Sequence, residues 1–115
     1  MSDSGERFTL FVIILNQPDL LDDVLTGFLD IGVQGATVIE SRGMGQIVRQ
    51  EMPIFAGLAG MFGENTGSRM IFSVMPAVLV EQVFKLVDEV ALQVNSPGAA
   101  VCFTLPVDQF RLPSR

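Results

Sequence analysis

The sequence predicts an α+β domain with the element order βαββαβ: one four-stranded antiparallel sheet with two helices on one of its faces. Three observations carry this reading. Four short runs are dense in β-branched and aromatic residues, and two longer stretches repeat their apolar residues at helical spacing. Strand, helix and strand also follow one another twice, on either side of a stretch that fits neither template. At 115 residues the chain is a single domain, 1–115, able to bury roughly two thirds of its unfolded surface without disulfides or metals.

The first run, Phe8-Thr-Leu-Phe-Val-Ile-Ile-Leu15, is apolar almost throughout and is bounded by Asn16-Gln-Pro18. A strand with no polar face belongs in the middle of a sheet, covered on both sides. Residues 1–7 ahead of it read as a flexible tail. Pro18 suits a first helical turn, where its missing N–H is no loss, with Asn16 or Gln17 at the cap. Asp19, Asp22 and Asp23 then place negative charge at the positive end of the helix dipole. Leu20, Leu21, Val24, Leu25, Phe28 and Ile31 form the buried stripe, and Gly32 closes the helix as a left-handed cap. Gly27, inside the helix, reads as a point of close approach to the sheet.

The second strand spans 36–41 and runs into Gly43 and Gly45. Residues 46–68 then form a long connection, and connections of that length inside a compact domain are usually either functional or disordered. Residues 69–75 read as the third strand, and a helix opened by Pro76 runs through 94 on the stripe Val80, Val83, Phe84, Val87, Val90 and Val94. The fourth strand covers 100–105, and 106–115 is a C-terminal tail. This order is the ferredoxin-like one.

Composition adds a constraint that periodicity does not. Hydrophobic residues make up 49% of the chain and charged ones 17%, with a mean hydropathy of +0.46. One small core cannot hide that much apolar surface, and a sheet covered by helices on one face leaves the other bare. Copies of the chain are therefore expected to cover one another.

Several function classes are disfavoured. The net charge is −6 and the seven basic residues are scattered, whereas nucleic-acid binding rests on clustered Lys and Arg. With no His, no Tyr and one Cys in a strand-like run, the usual general bases and nucleophiles are missing, so no enzyme and no metal site is expected. The apolar runs 8–15 and 54–63 fall short of the ~20 residues a membrane span needs, and the polar N-terminus lacks a signal-peptide pattern. The expected location is the cytoplasm.

Gly32-Val-Gln-Gly35-Ala-Thr37-Val-Ile-Glu-Ser-Arg42-Gly43-Met-Gly45 resembles the segment that leads into the T-loop of the PII (nitrogen regulatory protein P-II) family. A weaker likeness extends from Phe8 to about Leu112. The resemblance implies a trimeric signalling protein with an adenine-nucleotide cleft between subunits. It also implies that the T-loop-like segment, 46–68, docks on a target protein such as an enzyme or a membrane transporter. The site residues it implies are Thr37, Gly43, Met44, Gly45 and Gln46 near the cleft, Arg69 at the third strand, Gly98 in the turn before the last strand, and Arg111 in the tail.

The pattern is broken in places. Gln46 stands where the family has a basic residue, and Asn95-Ser-Pro-Gly98-Ala-Ala-Val101 lacks the acid and the lysine of the family's loop there. Charge-assisted phosphate contacts are thereby lost, so an altered or degenerate nucleotide site is expected, with the cofactor unknown. Without tyrosine, the family's tyrosine modification cannot occur. The connection itself is apolar and Met-rich, which suits either adaptable docking through Ile54, Phe55, Leu58, Met61 and Phe62 or folding back onto the trimer as a short helix. The alternatives are a small-molecule sensor resembling ACT domains and a structural trimer resembling CutA proteins.

Overall fold

The computed structural model describes residues 6–51, 67–96 and 98–112. Four strands, β1 (Phe8–Leu15), β2 (Thr37–Ser41), β3 (Ser68–Pro76) and β4 (Ala100–Pro106), form one sheet in the order β2-β3-β1-β4. Every neighbouring pair is antiparallel. Helices α1 (Leu21–Ile31) and α3 (Val80–Ala91) pack on one face, so the ferredoxin-like arrangement is the observed one. A further helix, α2 (Met44–Glu51), follows β2.

β1 lies between β3 and β4, and its even and odd residues meet different surroundings. Phe11, Ile13 and Leu15 point into the helix layer and join Ile71 and Met75 of β3 in the core. Val24 and Phe28 of α1 and Val83, Val87 and Val90 of α3 close that core from the other side. The helical stripes thus fall where 3.6-residue spacing places them. Phe11 also stacks on Phe84 with ring centroids 4.8 Å apart.

The alternate residues face away from the helices. Val12 is flanked by Phe72 and Phe103, Ile14 by Met70 and Val101, and Leu10 by Val74 and Leu105. Ile39 of β2 adjoins Met70 on the same face. No layer of the chain's described residues covers this surface. Ile39, Val101, Phe103 and Leu105 are each over 40% exposed.

Local differences from the sequence reading have physical causes. Both core helices begin a turn late, because Pro18–Leu20 and Ala77–Leu79 first form 3-10 turns; Pro76 ends β3 and does not open the helix. Asn16 does not cap α1. Its side-chain amide instead donates to the Gly98 carbonyl at 2.7 Å, and Gln17 occupies the cap without a side-chain bond. Gly32 does close α1, with φ 102° and its N–H on the Phe28 carbonyl. α3 stops at Ala91, and β2 starts at Thr37. Ser68 belongs to β3 and β2 ends at Ser41, so the connection between them is 42–67, and α2 occupies its first part.

Gly27 approaches α3, not the sheet: a Cβ there would lie 2.6 Å from Cδ2 of Leu86 and 3.0 Å from its Cγ. Gly27→Val is therefore expected to lower stability by about 1–3 kcal/mol through overpacking. Urea unfolding measures this, and an unchanged midpoint would show that α1 and α3 can separate freely.

Candidate functional site

A groove of about 1450 Å³ opens at the end of the sheet where β1 begins and β3 ends. Its apolar lining comes from Phe8 and Leu10 of β1 and from Phe72 and Val74 of β3. The α1–β2 connection contributes Gln34, Gly35 and Thr37, and the C-terminal segment contributes Asp108, Gln109, Phe110 and Arg111. That last segment is anchored by Phe110, whose ring lies 5.0 Å from that of Phe8. Ser73, buried at the groove, donates its hydroxyl to the Gly35 carbonyl at 2.5 Å, which ties the α1–β2 connection to β3.

Two of the sequence-derived site residues, Thr37 and Arg111, line this groove. The others are elsewhere. Arg69 sits on β3 directly opposite Glu40 of β2 and pairs with it at 3.9 Å, with a second contact to the Ser68 carbonyl at 3.3 Å. Its partner carboxylate is well exposed, so the pair is screened and contributes little to stability. The guanidinium is nonetheless engaged within its own sheet.

Gly43, Met44, Gly45 and Gln46 do not form an open glycine-rich loop. Gly43 precedes α2 and its carbonyl accepts from the Ile47 N–H, while Met44, Gly45 and Gln46 make the first turn. Met44 is exposed. Among the described residues, a Cβ on Gly43 would meet nothing within 4 Å. Gly98 has a left-handed backbone, φ 77°, and its carbonyl is taken by Asn16.

The stem that carries α2 is fastened. Ser68, fully buried, donates to the Ser41 carbonyl at 3.2 Å, which leaves the Ser41 hydroxyl as donor across the 2.8 Å Oγ–Oγ contact. β2 and β3 are thereby held to the last residue before the connection. Ile54, Phe55, Leu58, Met61 and Phe62 lie outside the described residues.

Gly43–Gln46 and Gly98 stand at the same end of the sheet but beyond opposite edges, β2 and β4. Three interstrand steps separate those edges, roughly 14 Å. One copy of the chain therefore does not bring the two glycine turns together. Cys102, the free thiol, is half-buried against the helix layer, and burial first and the Asp88 carboxylate second push its pKa up. It stays protonated and weakly nucleophilic near neutral pH.

Sequence reasoning missed the groove's aromatic wall. Phe110 is the signal for it: a single aromatic residue in a short segment between prolines, of no use to a solvated tail. Among the described residues no group of three His, Cys, Asp or Glu side chains is placed to hold a metal, and no helix is long and apolar enough to cross a membrane.

No family model and no curated protein matches the chain. Among solved structures it is similar to the PII protein of Arabidopsis thaliana, crystallised with citrate, at 24% identity and a TM-score of 0.63. The match covers 88% of this chain and 78% of that one. At that identity the likeness is one of fold: the chain is built on the PII-type ferredoxin-like scaffold.

Proposed function

We propose that the protein is a PII-like trimeric signalling protein that captures a target protein through the segment between β2 and β3 and carries an altered ligand site between its copies. The observation that carries this reading is the uncovered apolar face of the sheet. Leu10, Ile14, Phe72, Phe103 and Leu105 form a surface of the kind that soluble monomers rarely expose. Three sheets turned inward about one axis bury it, and the ring closes when one copy's β2 edge meets the next copy's β4 edge. That closure also supports a shared site, because it sets Gly43–Gln46 of one copy near Gly98 of the next.

The ligand at such a cleft is not an ordinary ATP. Gln46 offers no charge, the turn at Gly98 carries no lysine, and Arg69 is engaged by Glu40. Regulation by docking, and not catalysis, is the activity that remains. The target is a protein of the cytoplasm or the cytoplasmic face of a membrane transporter.

Light scattering at micromolar concentration tests the assembly, and a stable monomer would overturn the reading. Replacing Ile54, Phe55, Leu58 and Phe62 together by Ser is expected to abolish target capture and leave the trimer intact. Capture by that variant would assign docking to another surface. A thermal-shift series of ATP, ADP, AMP and 2-oxoglutarate tests the cleft, since a ligand at 100 times its Kd stabilises the fold by about 2.7 kcal/mol.

A further inference from the structure

The side of β3 that meets the helix layer presents Ile71, Ser73 and Met75 at alternate positions. Ile71 and Met75 belong to the core, and Phe11 of the core stands opposite Ser73 on β1. Ser73 is buried with them, and among the described residues only Ser68 is a second buried polar side chain. A hydroxyl in such a row costs stability unless it is hydrogen-bonded, whereas a valine there would extend the core. The bond that Ser73 makes does not join two core elements. It reaches Gly35, in the exposed stretch that leads from α1 into β2. That stretch is held at its two ends by other means. Gly32 and Val33 both donate to the Phe28 carbonyl, and the Val33 side chain is buried in the core. Pairing with β3 begins at Thr37, opposite Phe72. Gln34, Gly35 and Ala36 lie between, all exposed, and the 2.5 Å contact from Ser73 fixes the middle one of them.

We infer that Ser73 is a positioning residue for the cleft: its hydroxyl fixes the approach to β2 and so holds Thr37 in place, with no gain to the core. Thr37 enters here as a residue of the proposed site between copies, and the role of Ser73 rests on that reading. The two partners of the bond are unlike. Ser73 is buried, whereas Gly35 is exposed, so the Gly35 carbonyl takes up water when the hydroxyl is removed. Replacing the hydroxyl by a methyl group therefore leaves no polar group buried without a partner. Folding stability is unchanged or higher, and the loss is felt where the connection enters the site.

The test compares Ser73→Val with Ser73→Thr in the full-length protein. The two side chains share one branched shape and differ in the hydroxyl, so the effect of the added methyl group cancels. Backbone order parameters of Gly35, Ala36 and Thr37 are measured by NMR relaxation. In the unsubstituted protein and in the Thr variant they are expected near about 0.85, the value of rigid backbone, and in the Val variant below about 0.6. The urea midpoint of the Val variant is expected to equal or exceed that of the Thr variant. Equal order parameters in the two variants overturn the proposal. A lower urea midpoint for the Val variant also overturns it, because the hydroxyl then serves the fold and not the site. Should the added bulk prevent folding of both, Ser73→Ala against the unsubstituted protein decides on the same order parameters. Light scattering reports the assembly of each variant separately, so a failure of the trimeric reading and a failure at Ser73 are told apart.

Discussion

If the chain assembles as proposed, Phe103→Asp is expected to convert the proposed trimer into folded monomers, seen as a threefold fall in mass by light scattering with an unchanged far-UV spectrum. Phe103 lies on β4 opposite Val12, on the uncovered face, and is 42% exposed in the single chain. The substitution therefore removes nothing from the core formed with α1 and α3. In an inward-facing trimer each subunit loses roughly 2 kcal/mol of apolar burial. It also places a carboxylate in a dry interface, at a larger desolvation cost. Three subunits carry both effects at once. A trimer that persists would mean that the open face is not the assembly surface, and Ile39 and Leu105 would lose their explanation with it.

The opposite face is tested by Ile13→Ala. Ile13 is fully buried at the middle of the central strand, between Ile71 on β3 and Cys102 on β4. Truncation there is expected to cost about 2–5 kcal/mol, transfer and cavity terms together. That is a large part of the ~5–15 kcal/mol that holds a domain of this kind folded. Leu29→Ala is the matched control: the same class of residue, on α1, 77% exposed, with an expected change within about 0.5 kcal/mol. The urea midpoint should fall for the first variant and hold for the second, with m unchanged in both. Equal effects would contradict the layer assignment.

Where local chemistry alone decides an element, the sequence is a good guide. β1 has the boundaries its composition implies, since Asn16 and Pro18 end a run that nothing else interrupts. The helical stripes are buried as their spacing requires. α2 is the instructive miss. Met44, Ile47 and Val48 recur at i, i+3 and i+4, a helical signal, but Gly43 and Gly45 make the same residues read as a loop. The site is less legible than the fold for a related reason. Thr37 and Arg111 meet in one groove because the C-terminal segment folds back onto Phe8 through Phe110. Arg69, by contrast, is drawn to Glu40 by strand register. Neither outcome is encoded within a short window.

Periodicity, turn residues and composition by themselves determined the element order, the central strand, the buried stripes and the excess of apolar surface. Tertiary structure alone decided which strands lie at the edges of the sheet, which face of it is bare, and that Gly43 and Gly98 stand beyond opposite edges. Those depend on pairing between segments tens of residues apart. A shift of one residue in such pairing moves every side chain to the other face, and a local pattern holds no record of it.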